Sequence, residues 1–485
     1  MSTLVPRKPY TEDELRQLYP DGLQLHLVQI LMRHGERTPV SARFQNTGLR
    51  AFWPYCANVR QMKTALMAHG GDYTTLEWKR RLETFGERDQ PVIAAGPNGQ
   101  VDDVCDMGSL TDTGRRSTFQ LGERLRELYV NRLKFLPPSL RSTESLYLRA
   151  TPIPRAMESM QQTFTALYPP STREPDETGS FPAPVIVTRA PGDETLFPND
   201  YNCRRFAQMS RAFAQRAADR WNTTEDMEYL NKVLGKWMPP DRPRIAVDSR
   251  PRLSGIMDTI NATAAHGPET KLPPEFYDAK AKKIMEKIAV EEWFAGYKES
   301  REYRMVGIGG LLGDVVERMV GSAENPPNKV KFGLSGCHDT TLAAVLASLG
   351  AFEDNVWPPF TSHIAIEMFR RSEPIAATGS RNWWGSLFGT GSSSPLGRKP
   401  SPELSASEKK KLDGYYVRLR YNDEPVTIPG CKAPGNHLDG DESFCTLAAF
   451  KEIVDKFTPQ NWKSACRMNR DSPGIPAGES EPAGY

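Results

Sequence analysis

Continuously apolar runs alternate with amphipathic segments along much of the chain. Residues 23–32, LQLHLVQILM, begin with alternating apolar positions and then become continuously apolar, which is typical of a strand entering a buried sheet. Residues 110–130 repeat apolar side chains at helical spacing behind a capping threonine, Thr111. The segment SLYLRAT predicts a strand ending near Arg149, and IPRAMESMQQTFTALYP predicts another amphipathic helix. Strands that alternate with helices indicate an α/β fold.

The predicted organisation is one α/β domain interrupted by an inserted lobe. The stretch between its two parts is rich in Met, Ala, Arg, Glu and Trp with few strand signals, so it predicts a mostly helical lobe. After it, KVKFGLSGCHDTTLAAVLASLG returns to a strand followed by a helix, and HIAIEMFRR and YYVRLRYND predict two further strands. The predicted parts are residues 1–195 for the first part of the α/β domain, 196–300 for the helical lobe and 301–470 for the second part.

Two segments contain little that a hydrophobic core can use. Residues 372–410 are rich in Gly, Ser and Pro and predict a long exposed insert between two strands. Its aromatic side chains, Trp383, Trp384 and Phe388, could still dock elsewhere on the protein. The last residues, 471–485, predict a flexible tail.

Charge and composition narrow the class of protein. The 485 residues contain 62 Lys and Arg against 60 Asp and Glu, so a net charge of +2 gives no global attraction for nucleic acid, and any anion site must be local. Residues 23–32 are too short to span a bilayer, and the first thirty residues lack the pattern of a secretory signal. We therefore expect a soluble protein and favour an intracellular location. The seven cysteines form no CxxC pair, which argues against a structural zinc site.

The most informative segment is RHGERTP at residues 33–39, directly after the first predicted strand. Ligand sites in α/β sheets lie at the carboxyl ends of strands. Arg33 and Arg37 flank the His34 imidazole, and a guanidinium offers phosphate oxygens a planar fork that is always charged. Neighbouring positive charge lowers the pKa of His34 and keeps its imidazole neutral and nucleophilic. A lone histidine after a strand is more often structural, so this segment alone does not establish a catalytic site.

A second polar turn, GCHD at residues 336–339, follows a later strand and can face the same cleft. An aspartate such as Asp339 can protonate the leaving oxygen of a phosphate ester and later activate water, provided that its surroundings raise its pKa. An N-cap role for Asp339 in the following helix is about equally favoured. Arg149 and Arg155 are both candidates to complete a guanidinium cage, and surface ion pairs are the alternative for each.

These residues resemble the histidine acid phosphatases, the branch of the histidine phosphatase superfamily marked by RHGxRxP and a distant HD. Both marks are present, and the agreement extends through a helix similar to the family's LTxxG and LGxxLR at residues 110–126. The resemblance covers residues 23–370 and 413–467. It implies a phosphoglycerate-mutase-like α/β fold, with a central mixed, mostly parallel sheet flanked by helices and an inserted helical lobe.

The resemblance also implies an activity, that of a phosphomonoester hydrolase of the acid phosphatase type. His34 would be the nucleophile that forms a phosphohistidine, and Asp339 the proton donor. The residues implied to hold the phosphoryl oxygens are Arg33, Arg37, Arg149 and His338. No metal or other cofactor is implied. The expected partner is a small phosphomonoester, either lysophosphatidate or an inositol phosphate, and the intracellular lysophosphatidic acid phosphatases are the nearest members.

The chain departs from the family pattern beside Arg149, where Ala150-Thr151-Pro152 replaces an R-S-T run and an acidic residue. We therefore expect a reshaped pocket there. Four cysteines match positions that form disulfides in secreted relatives, Cys203 with Cys466 and Cys431 with Cys445. Disulfides are typical of secreted proteins, whereas the first thirty residues lack a secretion signal, so the two observations do not agree on one cellular compartment.

Two other functions stay open. A phosphotransferase of the mutase type would pass the phosphoryl group to an acceptor other than water. A catalytically silent scaffold would keep the same residues in a cleft blocked by the insert. Turnover separates the scaffold from the enzyme, and the identity of the acceptor separates the hydrolase from the transferase.

Overall fold

The computed structural model describes residues 3–177, 179–324, 330–352, 356–372, 395–476 and 480–485. Its strands are β1 (Leu23–Arg33), β2 (Met62–Met67), β3 (Tyr73–Trp78), β4 (Glu83–Phe85), β5 (Pro91–Ile93), β6 (Leu146–Ala150), β7 (Ile186–Val187), β8 (Phe332–Cys337), β9 (His363–Arg371), β10 (Tyr415–Tyr421), β11 (Glu424–Val426), β12 (His437–Leu438) and β13 (Asp441–Thr446). Nine of them form the central sheet, while β2 with β3 and β4 with β5 form two separate hairpins.

The central sheet has the order β12-β13-β10-β9-β1-β8-β6-β7, with β11 paired to β10. The predicted mixed sheet flanked by helices is confirmed, but the sheet is not mostly parallel. Its described ladders comprise three parallel and five antiparallel pairs. Short turns account for two of the antiparallel pairs: only Asn422 and Asp423, both at positive φ, separate β10 from β11, and only two residues separate β12 from β13. A two-residue hairpin can join only antiparallel strands.

The helices are α1 (Glu12–Leu18), α2 (Asp112–Leu125), α3 (Pro154–Leu167), α4 (Arg204–Trp221), α5 (Glu225–Leu234), α6 (Leu253–Ala264), α7 (Ala279–Glu299), α8 (Arg301–Arg304), α9 (Gly310–Glu324), α10 (Asp339–Ser348), α11 (Ala406–Lys410), α12 (Leu447–Asp455) and α13 (Trp462–Ala465). The helix predicted behind Thr111 is α2, and the Thr111 side chain accepts a hydrogen bond from the Gly114 backbone N–H as its cap. In the part of the chain that the structure describes, no helix is long and apolar enough to cross a membrane.

Strand β1 is apolar on both sides because helices cover both faces of the sheet. Val28, Ile30 and Met32 belong to the core that contains the apolar sides of α2 and α3. Leu27 and Leu31 alternate with them and belong to the core that contains α9 and α10. Since successive strand residues point to opposite faces, a continuous apolar run is what a doubly covered strand requires.

Helices α4 to α7 lie within the predicted helical lobe. They surround a core of their own, which also takes in Phe44, Leu49 and Trp53 from the segment after β1. The lobe therefore packs against the segment that follows RHGERTP, residues 33–39, which we call the His34 motif. Its boundaries at residues 196 and 300 stay a prediction, but all four helices fall between them.

The C-terminal tail was predicted to be flexible, which is wrong for its described end. The Glu481 backbone N–H donates to the Glu299 carbonyl at 3.0 Å, and the Gly430 N–H donates to the Gly484 carbonyl at 2.7 Å. Composition did not reveal this docking because backbone groups, which any sequence carries, make these bonds.

The exposed insert predicted for residues 372–410 is wrong for its C-terminal part. Leu396 and Leu404 are buried in the core that contains α9 and α12. The predictions for Trp383, Trp384 and Phe388 lie outside the described residues.

Three disulfides join cysteines that are 14, 49 and 263 positions apart in the chain. Cys203–Cys466 and Cys431–Cys445, the pairs implied by the family resemblance, both form, with Cα atoms 4.8 and 5.1 Å apart. Cys56–Cys105 was not predicted. This third bond closes the segment that contains the two separate hairpins, whose side chains are nearly all at least partly exposed.

Candidate active site

The two polar motifs meet at the carboxyl ends of neighbouring parallel strands. Strand β1 pairs with β8 up to Arg33 beside Cys337. The His34 backbone N–H then donates to the Cys337 carbonyl at 3.1 Å, and the Thr361 N–H donates to the His34 carbonyl at 3.2 Å. Residues 33–37 and 338–339 therefore face one site, at the sheet edge where α/β proteins bind ligands.

The His34 imidazole is buried, with 1 % of the residue exposed. Its Nδ1 lies 2.9 Å from the Gly35 carbonyl oxygen. Because a carbonyl only accepts hydrogen bonds, this contact assigns the proton to Nδ1 and leaves a lone pair on Nε2. Burial, followed by the charges of Arg155 and Arg33, holds the pKa of His34 well below its ordinary value. The ring is thus neutral and able to act as a nucleophile.

Arg33 and Arg37 flank His34 in the chain, and a carboxylate contacts each of them. Arg33 Nη2 contacts Asp339 Oδ2 at 2.7 Å, and its guanidinium lies 4.1 Å from the centre of the Phe360 ring. Arg37 Nη2 contacts Asp258 Oδ1 at 2.8 Å. In both arginines Nε is buried and has no partner within the described residues. A buried donor left without an acceptor costs about 1–3 kcal/mol, so a hydrogen bond from either Nε to an anion would be favourable.

Arg155 joins this cluster from the first turn of α3. Burial, with the charge of Arg37 next in size, lowers its pKa to about 10. Its Nε is also buried without a partner among the described residues. Of the charges that lower the pKa values of His34 and His338, Arg155 is the largest in both cases. Arg33, Arg37 and Arg155 together form what we call the guanidinium cluster.

Arg149, which the family resemblance assigned to phosphate binding, is paired with carboxylates instead. Its Nη2 contacts Glu194 Oε1 at 2.7 Å and Thr195 Oγ1 at 3.0 Å, and its Nη1 lies 3.5 Å from Asp314 Oδ2. Its Nε, like those of the cluster, lacks a partner in the described chain. The two carboxylates offset its charge, and the assignment of Arg149 to phosphate binding stays a prediction.

His338 is held by the loop that follows β6. Its Nε2 lies 3.0 Å from Thr151 Oγ1, and its ring centre lies 5.5 Å from that of His34. Burial, followed by the charge of Arg155, lowers its pKa to about 3. His338 is therefore neutral above that pH, and it can act as a hydrogen-bond donor.

Asp339 is the first residue of α10, and His338 holds the N-cap position. The alternative N-cap role for Asp339 is therefore wrong. Its Oδ1 accepts the Thr340 backbone N–H at 2.8 Å, and its Oδ2 accepts the Trp357 indole N–H at 3.0 Å. Burial alone would raise the pKa of Asp339, but Arg33 and the Trp357 hydrogen bond outweigh it and lower the pKa to about 2. With this lowered pKa the carboxyl group is ionised at neutral pH, contrary to the condition set for a proton donor.

Two residues of the site had no signal in the sequence. Asp258, on α6 of the helical lobe, contacts Arg37 and accepts the Val40 backbone N–H at 3.2 Å through Oδ2. Trp357 lies in the loop between α10 and β9 and reaches Asp339. Each is one polar or aromatic residue in an otherwise ordinary segment, so only the tertiary contact identifies it.

The His34 loop packs tightly against the first turn of α2. A Cβ on Gly114 would overlap the Glu36 backbone, and a Cβ on Gly35 would overlap the Gly114 backbone. We expect Gly114→Ala to destabilise the protein by about 1–3 kcal/mol, the usual effect of overpacking, and to lower activity by displacing the loop. Thermal unfolding and kcat/KM for p-nitrophenyl phosphate measure the two effects.

The matched control is Gly321→Ala in α9, where an added Cβ would meet nothing within 4 Å. This control should be neutral or slightly stabilising, because alanine favours a helix more than glycine does. A Gly114→Ala variant as stable and active as Gly321→Ala would contradict the tight contact.

The site thus combines the neutral imidazoles of His34 and His338 and the carboxylates of Asp339 and Asp258 with three guanidiniums. This arrangement suits a tetrahedral dianion at His34 Nε2, with the Asp339 carboxyl group beside it to exchange a proton. Over the described ranges, no group of three or more His, Cys, Asp or Glu residues is placed to hold a metal ion.

Comparison with known proteins places the chain in a family. The profile of the histidine phosphatase superfamily (branch 2) matches residues 24–422. A probable acid phosphatase of Schizosaccharomyces pombe is 36 % identical over 457 residues, which cover 93 % of this chain and 95 % of that protein. Human lysophosphatidic acid phosphatase type 6 is 26 % identical over 372 residues, covering 76 % and 77 % of the two chains.

Solved structures share the fold. A Hafnia alvei phytase in complex with myo-inositol hexakis sulphate matches with a TM-score of 0.53 and 13 % identity, covering 92 % of this chain and 99 % of the phytase. At this identity the likeness concerns the fold alone. The matched profile and the similarity to the yeast protein show that this chain belongs to branch 2 of the histidine phosphatase superfamily.

Proposed function

We propose that this protein is a phosphomonoester hydrolase that acts through a phosphohistidine on His34. The observation that carries the proposal is the neutral His34 imidazole, with its Nε2 lone pair available, beside the guanidiniums of Arg33, Arg37 and Arg155, whose buried Nε atoms lack partners in the described residues. The relatives named acid phosphatase and lysophosphatidic acid phosphatase support the same reaction class.

In the first step, Nε2 of His34 attacks phosphorus. A P–N bond forms as the bond between phosphorus and the ester oxygen breaks, and the electron pair of that bond goes to the leaving oxygen. Asp339 donates a proton to this oxygen, so an alcohol departs. The guanidinium cluster stabilises the charge on the phosphoryl oxygens, and His338 adds a neutral donor.

The lowered pKa of Asp339 is compatible with this role. A phosphate dianion that binds beside Arg33 competes for the guanidinium that now lowers the pKa of Asp339. Its negative charge also disfavours loss of the proton, so substrate binding raises the pKa of the carboxyl group. In the second step Asp339 takes a proton from water, the water oxygen attacks phosphorus, the P–N bond breaks and phosphate leaves.

We further propose Arg155, in place of Arg149, as the third guanidinium that holds the phosphoryl group. Arg155→Ala is expected to lower kcat/KM by about 10²–10³, the usual effect of removing one donor to a developing charge, with little change in stability. Arg149→Ala is expected to destabilise the fold by about 3–5 kcal/mol, because it leaves the buried Glu194 without its partner. Kinetics with p-nitrophenyl phosphate, inhibition by inorganic phosphate and thermal unfolding measure the three quantities.

The two arginine variants serve as controls for each other. If a folded Arg149→Ala protein lost affinity for inorganic phosphate while Arg155→Ala kept it, the assignment implied by the family resemblance would be restored. Equal losses in both variants would place both side chains at the phosphate.

The substrate proposed first is lysophosphatidate, and an inositol phosphate is the second candidate. Lysophosphatidic acid phosphatases are among the relatives, whereas the phytases share the fold at low identity. Faster hydrolysis of inositol hexakisphosphate than of lysophosphatidate would reverse this order.

The three disulfides bear on the compartment. Such bonds persist in oxidising compartments and are rare in the reducing cytosol. We therefore propose an oxidising location, in place of the intracellular one that the N-terminal sequence favoured.

The experiment that tests the function is capture of the phosphoenzyme. The protein is mixed with a ³²P-labelled phosphomonoester in the presence of a chelator and quenched in alkali after milliseconds. A base-stable, acid-labile label on the peptide containing His34 is expected. Release of inorganic phosphate separates hydrolysis from transfer to an added alcohol. No label and no turnover on a panel of phosphomonoesters would favour the silent scaffold.

A further inference from the structure

Trp357 connects the carboxyl group of Asp339 to the helical lobe. Its indole N–H donates to Asp339 Oδ2 at 3.0 Å. Its backbone N–H donates to Glu286 Oε1, on α7, at 3.0 Å. The indole ring also packs on α7, with ring centres 5.1 Å from Phe294 and 6.0 Å from Trp293. Trp357 is therefore held against α7 by one hydrogen bond and two ring contacts.

The donors on Asp339 are unequally shared between its two oxygens. Oδ2 accepts the Trp357 indole N–H and forms an ion pair with Arg33 Nη2 at 2.7 Å, whereas Oδ1 accepts the Thr340 backbone N–H. Two positively polarised groups thus contact Oδ2, and Oδ1, which has two lone pairs and accepts one N–H, keeps one lone pair open. When a phosphoryl group competes for Arg33, Trp357 is the side chain that still holds Oδ2.

We propose that Trp357 is a positioning residue for the proton donor, which fixes Asp339 Oδ2 as the acceptor so that the transferred proton is carried on Oδ1. The inference rests on the proposed function, because it assumes that Asp339 protonates the leaving oxygen. Through Trp357, helix α7 of the helical lobe sets the orientation of a group in the α/β domain.

The test uses two substrates that differ in their need for a proton. p-Nitrophenolate is a weak base and leaves without protonation, whereas an alkoxide from an alkyl phosphate does not. Trp357→Phe keeps an aromatic ring and removes the N–H donor. We expect it to lower kcat/KM for an alkyl phosphate such as glycerol 3-phosphate by about tenfold, and to change kcat/KM for p-nitrophenyl phosphate by less than about twofold.

The pH profile gives a second readout. The groups that face Asp339 are Arg33 and Arg37 of the His34 motif, Arg155 of α3, Cys337 and His338 beside it in the chain, and Trp357. The indole N–H stabilises the ionised carboxylate, so its loss raises the pKa of Asp339. Because the donor must be protonated in the substrate complex, the basic limb of kcat for the alkyl phosphate should move to higher pH, by about one unit.

Trp221→Phe is the matched control. The Trp221 indole N–H donates to Glu291 Oε2, on α7, at 2.9 Å and not to Asp339. This substitution therefore removes an indole donor in the same way without touching the bond to Asp339. The control should leave the ratio of the two kcat/KM values unchanged. Equal losses on both substrates in Trp357→Phe, or the same ratio change in Trp221→Phe, would overturn the positioning role.

The variant Asp339→Asn separates this inference from the function on which it rests. It should lower kcat/KM for the alkyl phosphate far more than kcat/KM for p-nitrophenyl phosphate, because kcat/KM does not include the later attack of water that both substrates share. Trp357→Phe should add no further loss in the double variant. If Asp339→Asn itself showed no dependence on the leaving group, the proton-donor assignment would fail. If Asp339→Asn showed that dependence and the losses of the two variants were additive in the double variant, the positioning role of Trp357 would fail, while the proton-donor role of Asp339 would stand.

Discussion

Replacing His34 with alanine is expected to lower kcat/KM for p-nitrophenyl phosphate by on the order of 10⁵, since removal of a nucleophile abolishes the covalent route. The fold should persist, because the loop is also held by backbone bonds from His34 to Cys337 and Thr361. The measurement is phosphate release between pH 4 and 7 with a chelator present, together with thermal unfolding of both proteins.

His437→Ala is the control for this variant. The His437 imidazole bonds to the Cys431 carbonyl at 2.9 Å and lies on edge strand β12, away from the guanidinium cluster. It should keep full activity. A loss of less than about a hundredfold in a folded His34→Ala protein would mean that another group accepts the phosphoryl, and the phosphohistidine proposal would fall.

Removal of the Cys203–Cys466 disulfide is expected to lower the free energy of unfolding by about 5 kcal/mol. The bond joins residues 263 positions apart, so its loss frees a large part of the unfolded chain. The bond also links the start of α4, in the helical lobe, to the end of α13, in the C-terminal segment. The double variant Cys203→Ala with Cys466→Ala, unfolded by urea without reductant, measures the effect.

The second disulfide of the same region provides the comparison. Cys431 and Cys445 are only 14 positions apart, so the chain-entropy argument gives about 3 kcal/mol for their removal by Cys431→Ala with Cys445→Ala. An equal or reversed order of the two losses would show that native-state packing, and not loop length, decides the stabilisation.

The sequence predicted those elements whose pattern is set by burial. Strand β1 is covered on both faces, so its residues are continuously apolar, and helix α2 is covered on one side, so its apolar residues recur at helical spacing. Both patterns are visible in the sequence. The hairpins of β2 to β5 were missed for the opposite reason. Their side chains are exposed on both faces, so no alternation of apolar and polar residues marks them.

The parts of the candidate site that could be predicted are those whose residues are close together in the sequence. Residues 33–39 and 338–339 carry their chemistry in short runs, and the sheet brings these runs together. The choice between Arg149 and Arg155 could not be made, because it depends on whether Glu194, 45 positions away, is present to neutralise one of them. Asp258 reaches Arg37 across 221 positions, and no local pattern records such a contact.

The Cys56–Cys105 bond has a consequence for proteolysis. The hairpins within the closed segment expose apolar side chains, among them Met67, Tyr73 and Phe85, and form no part of the central sheet. A protease that cut the backbone between the two cysteines would therefore leave both fragments covalently joined. The cut would also leave the core and the His34 loop in place. Proteolysis of the hairpins is therefore expected to leave the proposed catalytic residues attached to a folded protein.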